Sequence, residues 1–182
     1  SVGAVSPLTV TGINVPANGN ASIVYSALTN EFAPLANNSQ IVNTATVTGG
    51  GLSAPVTATE TIGRGNEPVL SISKSLNPLS VPVNGTLTYT FIIRNTGFTE
   101  AADEDNIVIR DVFDPILDIT SVTLNGTALT PATGYTYDRT TGTFATVAGA
   151  VTVPAATFEQ NASSGAYSIT PGAAILTITG TV

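Results

Sequence analysis

Apolar and polar residues alternate with period two along most of this chain, and no stretch shows the three-to-four spacing of an amphipathic helix. Thr86–Asn95 has the clearest alternation. There Leu87, Tyr89, Phe91 and Ile93 share one face against Thr88, Thr90, Ile92 and Arg94, as expected of a central strand. Further strands are predicted over Pro7–Val15, Ala21–Leu28, Gln40–Thr48, Pro55–Ile62, Val69–Lys74, Asn106–Phe113, Ile119–Leu124, Ala148–Val153 and Ala173–Val182, with a short segment near Phe158. A hairpin is expected over Tyr135–Thr146 around Arg139-Thr140-Thr141-Gly142, and Asn125-Gly126 supplies the positive φ of a tight turn. Loops are expected through Pro34–Ser39 and at Asn77-Pro78 and Asp114-Pro115. The expected fold class is all-β.

Three polar residues interrupt apolar faces. Lys74, the sole lysine, lines up with Leu70 and Ile72; Asp111 lines up with Ile107, Ile109 and Phe113; Asn43 lines up with Ile41, Ala45 and Val47. A lysine among buried positions requires a partner, since an isolated ammonium in an apolar layer is costly. A lysine, an acid and an asparagine so placed are the ingredients of a self-formed Lys–Asn isopeptide bond. The plainer reading is a Lys74–Asp111 ion pair with Asn43 as a polar neighbour and the lysine snorkelling toward a sheet edge.

Composition narrows the classes. Hydrophobic residues make up 42% and charged residues 9%, with Thr, Ser, Asn, Ala and Val prominent, which favours short strands with hydroxylated outer faces. Five basic residues against twelve acidic ones leave a net charge of −7, a poor complement to phosphate backbones, so no nucleic-acid partner is expected. Cys, His, Met and Trp are absent, so neither disulfides nor thiolate or imidazole chemistry is available. No run approaches the roughly 20 apolar residues of a membrane span. No cofactor, metal or small-molecule substrate is expected, and the chain is not expected to be an enzyme. The acidic run at 100–105 could offer carboxylates to calcium, but it lacks the ligand spacing of a calcium loop and is expected to be a solvated loop. A durable extracellular structural protein of the cell surface or an appendage fits this composition. The start at Ser1 is expected of a processed form or a fragment.

The chain also contains an incomplete repeat. Ile13–Leu28 aligns with Tyr167–Gly180: each runs strand, Pro-containing turn, small residues, alternating strand. Residues 1–62 therefore read as the C-terminal part of one β-repeat carrying donor strands, 63–68 as a linker, and 69–182 as a β-sandwich lacking its closing strand. Pro68–Lys74, Val83–Gly97 and Val108–Pro115 resemble the DUF11 repeats of bacterial and archaeal surface proteins and the related isopeptide-forming D2 domains of fimbrial subunits. Asn43-Thr44-Ala45-Thr46-Val47-Thr48 is similar to the motif that closes such repeats. The resemblance covers nearly the whole chain, back half before front half. It implies an immunoglobulin-like β-sandwich, and a first-strand lysine (Lys74) bonded to a last-strand asparagine (Asn43) with help from an acid on a facing strand (Asp111).

Because Asn43 precedes Lys74, completion by exchange between copies is the expectation: the strand Gln40–Val47 of one copy fills the open groove of the next, giving a head-to-tail homopolymer. Folding back of 1–62 onto its own 69–182 is the rival. A plain spacer from a tandem-repeat stalk or adhesin is a second class of function. A ligand-binding adhesin is a third, though six Phe and five Tyr are scattered and form no sugar platform. A glycosidase using Asp111 and Asp114 is a fourth, disfavoured because they sit three apart at a strand end.

Overall fold

The computed structural model describes residues 7–33, 40–63, 65 and 67–182; the loop expected at Pro34–Ser39, and Arg64 and Asn66 of the expected linker, lie outside them. The chain is all-β, built from antiparallel sheets. Its strands are β1 (Ile41–Val47), β2 (Val56–Ile62), β3 (Leu70–Asn77), β4 (Thr86–Asn95), β5 (Arg110–Val112), β6 (Asp118–Leu124), β7 (Thr127–Ala128), β8 (Tyr135–Asp138), β9 (Thr143–Thr146), β10 (Thr157–Gln160), β11 (Tyr167–Thr170) and β12 (Gly172–Thr181). The residues divide into two units, Ser1–Gly63 with Phe158–Ser168, and Arg64–Thr157 with Ile169–Val182.

In the second unit a sheet of order β3-β4-β12-β6-β7 faces a shorter sheet of order β5-β9-β8. Strand β4 is central because every second side chain is large and apolar: Leu87, Phe91 and Ile93 are buried, and Tyr89 packs against the same core. Strand β12 pairs along the whole of β4, from Gly172 opposite Asn95 to Thr181 opposite Thr86, and buries Ala174, Leu176 and Ile178. From the shorter sheet come Ile109 and Phe113, flanking β5, and Phe144 of β9. The Phe113 ring lies 4.9 Å from that of Tyr89 in the other layer and 6.2 Å from that of Phe144 in its own, so an aromatic contact joins the two layers of the sandwich. Asn125 and Gly126 take positive φ at the β6–β7 turn, as their types suggest.

The first unit contains the antiparallel β1–β2 hairpin, joined through Gly49, Gly50 and Gly51, all at positive φ. None of its described residues is buried. Residues Phe158–Ser168 carry most of the β10–β11 hairpin, whose Tyr167 N–H donates to the Glu31 carbonyl at 2.7 Å.

Four expected strands differ. Pro7–Val15 and Ala21–Leu28 are not strands, although a turn does form between them with Gly19 N–H on the Pro16 carbonyl at 2.9 Å. Alternation alone makes no strand without a neighbour to complete the ladder. Ala148–Val153 likewise forms only an isolated bridge, Ala101 to Val153. The strand expected over Asn106–Phe113 shortens to Arg110–Val112, because the Ile109 N–H bonds the Thr146 hydroxyl at 2.9 Å rather than a backbone carbonyl.

Candidate functional site

Lys74 reaches the sandwich interior through the register of an edge strand. Strand β3 pairs with β4 so that Leu70, Ile72, Lys74 and Leu76 stand opposite Asn95, Ile93, Phe91 and Tyr89 and share their inner face. The register is anchored at the strand's start by Asn95, which is fully buried. Its Oδ1 accepts from Val69 N–H at 3.0 Å and Gly97 N–H at 2.8 Å, and its Nδ2 donates to the Thr99 carbonyl at 2.7 Å. Across the sandwich, Asp111 of β5 lies between the inward-facing Ile109 and Phe113 and opposite Phe144 of β9.

The two charged residues meet. Lys74 Nζ donates to Asp111 Oδ2 at 2.5 Å, a short charge-assisted bond. Three rings surround the amine, with centroids 4.6 Å (Tyr89), 5.5 Å (Phe91) and 5.6 Å (Phe113) away. An apolar enclosure of this kind strengthens the pairing and keeps the amine in place. The enclosure is one-sided: the lysine side chain is 40% exposed and the aspartate 17%.

That exposure has a structural cause. On the shared inner face Phe91 and Ile93 are each 3% exposed, while Leu70 and Ile72 of β3 are 40% and 57% exposed. In the three-stranded sheet β5, which faces Lys74, is an edge strand, with β9 on one side only among the described residues. A strip of inward-facing apolar surface and the edge of a sheet thus lie beside the Lys74–Asp111 pair, a combination that favours pairing with another strand.

Asn43 belongs to the first unit. It sits on β1, opposite Glu60 of β2, and its Nδ2 donates to the Tyr25 hydroxyl at 2.9 Å. Of the three residues singled out in the sequence, Lys74 and Asp111 come together inside one unit, and Asn43 lies on a strand of the other. The three rings around the amine and the Glu60 partner of Asn43 went unassigned in the sequence. Tyr89 and Phe91 already alternate onto the core face of β4, but only the β3–β4 register brings them to Lys74.

The acidic loop does local work. Asp103–Asp105 form a single helical turn, where Asp105 Oδ2 accepts from Ala102 N–H at 2.9 Å and Asp103 Oδ1 accepts from Glu104 N–H at 3.1 Å. Among the described residues no group of three or more His, Cys, Asp or Glu side chains is arranged to hold a metal ion, and no helix is long and apolar enough to cross a membrane. Comparison with protein-family models, with curated proteins and with solved structures gives no match.

Proposed function

We propose that this protein is the structural subunit of an extracellular filament or surface appendage, polymerising head-to-tail by exchange of β-strands between copies and locking the joint with an isopeptide bond between Lys74 and Asn43. The observation that carries this reading is the uncovered inner strip, Leu70 and Ile72, lying beside the ring-enclosed Lys74–Asp111 pair and the outer edge of β5. The first unit supports it from the other side. A two-stranded hairpin without a core is marginal by itself, and β1–β2 with no buried residue gains most by covering a neighbour's surface. Donor and acceptor surfaces differ, so the contact repeats without closing.

The chemistry follows from the pair. In the proposed joint one proton passes from Lys74 Nζ to Asp111 Oδ2, leaving a neutral amine as nucleophile and a neutral acid. The acid donates a hydrogen bond to the Asn43 side-chain carbonyl, and Nζ attacks Cγ. The Nζ–Cγ bond forms, the Cγ–Nδ2 bond breaks, and Nδ2 leaves as ammonia with protons relayed by Asp111. Confinement supplies the high effective concentration that a poor electrophile such as a carboxamide needs.

The test is electrophoresis of the assembled protein after boiling in SDS, with intact-mass measurement. The expected result is a ladder of multiples of the 18.4 kDa chain, lighter by about 17 Da per bond for the lost ammonia. Lys74→Arg, which keeps the charge but not the nucleophile, and Asn43→Ala abolish the ladder, and Asp111→Asn slows it by orders of magnitude. A single 18.4 kDa band of unaltered mass removes the cross-link. If the chain also stays monomeric before boiling, strand exchange goes too, leaving the spacer reading. A monomer lighter by one ammonia identifies self-completion instead.

A further inference from the structure

Resting on the reading above, we infer that the donor is not a single strand but the intact β1–β2 hairpin of a second copy, positioned by the Asn43–Glu60 rung, with Glu60 as the residue that meets Lys74 from the donor side. The hairpin register sorts its residues sharply. One face carries Ile41, Ala45 and Val47 with their partners Ile62, Ala58 and Val56; the other carries Val42, Thr44 and Thr46 with Thr61, Thr59 and Thr57. On the apolar face a single rung is polar, Asn43 opposite Glu60. The acceptor strip has the complementary layout: apolar Leu70 and Ile72, then one charged position, Lys74 with Asp111. An apolar hairpin face with one polar rung fits an apolar strip with one polar site in one register, because any shift buries Glu60 or Lys74 against apolar side chains.

The sheet to be extended is antiparallel throughout. Adding β1 antiparallel to the free edge of β5 with Asn43 beside Asp111 puts Ile41 beside Phe113 and Ala45 beside Ile109, apolar against apolar. It also sets Val42 against Val112, which is 61% exposed on the outer face of β5. Strand β2 then becomes the new outer strand. As the hairpin docks, before the proton passes to Asp111, its Glu60 carboxylate approaches the exposed side of the Lys74 ammonium while Asp111 holds the other side, so the sole lysine is paired from both chains. Opposite charges facing across a contact select the register and disfavour wrong partners. The Thr-rich face stays outward, suited to solvent. Delivery as a pair also keeps the β1–β2 ladder intact, whereas donation of β1 alone would leave β2 without its partner.

Thr44 and Thr59 are directly opposed on the outward face, with hydroxyl oxygens 3.0 Å apart, and the chain has no native cysteine. Thr44→Cys/Thr59→Cys therefore staples the hairpin without touching the docking face. Assembly of the full chain is followed by light scattering and electron microscopy, with the staple oxidised and reduced. The oxidised chain is expected to assemble within about twofold of the reduced rate. An oxidised chain that stays monomeric, restored by reductant, overturns delivery of the intact hairpin while leaving strand exchange standing. Glu60→Lys sets like charges face to face at Lys74 and is expected to slow assembly at least tenfold, with Glu60→Gln milder, since like charges juxtaposed across a contact oppose it. Assembly of Glu60→Lys at the unaltered rate overturns the polar-rung register. If the unsubstituted chain stays monomeric at every concentration, the proposed function itself fails and takes this inference with it.

Discussion

Lys74 illustrates how little a residue's type says until its neighbours are known. A partly exposed ion pair contributes little to stability, about 0–1 kcal/mol by general experience. The Lys74–Asp111 pair, with the lysine 40% exposed, is therefore not what holds the sandwich together. Its significance is positional: the amine is fixed among three rings at the margin of an uncovered strip. Asn95 is the opposite case, fully buried and satisfied at both ends of its amide, and it ties the start of β3 to the end of β4. Asp138 shows the same economy in a turn. Its carboxyl is held below the ordinary aspartate range first by the Thr140 hydroxyl and then by the Thr140 N–H, at 2.6 and 2.8 Å. A depressed folded value means the turn gains stability that is complete above the ordinary value of about 4 and is lost as pH falls through the lower folded value. An NMR titration is expected to place the Asp138 midpoint below about 4, and Thr140→Val to move it back upward.

At the scale of elements, the β8–β9 hairpin positions the segment that carries Asp111. Gly142 sits at φ 71° in its turn, and its carbonyl accepts from Phe113 N–H at 2.9 Å. A Cβ there would collide with the Phe113 carbonyl oxygen. Gly142→Ala is expected to cost at least about 2 kcal/mol, from left-handed strain plus the collision, read as a lower urea midpoint with unchanged slope. Much at this scale was legible in advance. Thr86–Asn95 shows its central place through unbroken alternation of large residues, and the β8–β9 turn is announced by Thr-Gly. Ala21–Leu28 has a comparable pattern and forms no strand, because a strand depends on a partner that its own residues do not encode. Asn106–Phe113 is cut short for a related reason: the Thr146 hydroxyl takes the Ile109 N–H, a bond between residues 37 apart.

For the whole molecule, the two units differ in kind. The second has a continuous core from Leu87 to Ile178; the first has no buried residue among those described. Hydrogen exchange is expected to follow that division. Amides of β4 and β12 should be protected in the free subunit, and those of β1 and β2 should exchange quickly there but slow by at least about a hundredfold in the assembled form, because protection reports the free energy of local opening. Equal protection of β1–β2 in both forms would contradict completion by a neighbour.

By itself, the sequence determined the all-β class, the strands whose alternation is strong, and which apolar neighbours Lys74, Asp111 and Asn43 share a strand face with, because side-chain alternation is a property of the local backbone. Tertiary structure alone decided that Lys74 meets Asp111 inside a ring of Tyr89, Phe91 and Phe113, that Asn43 stands opposite Glu60, and that β5 ends its sheet while Leu70 and Ile72 remain uncovered. Those outcomes depend on strand order and register between distant segments, and no residue carries that information in its own neighbourhood.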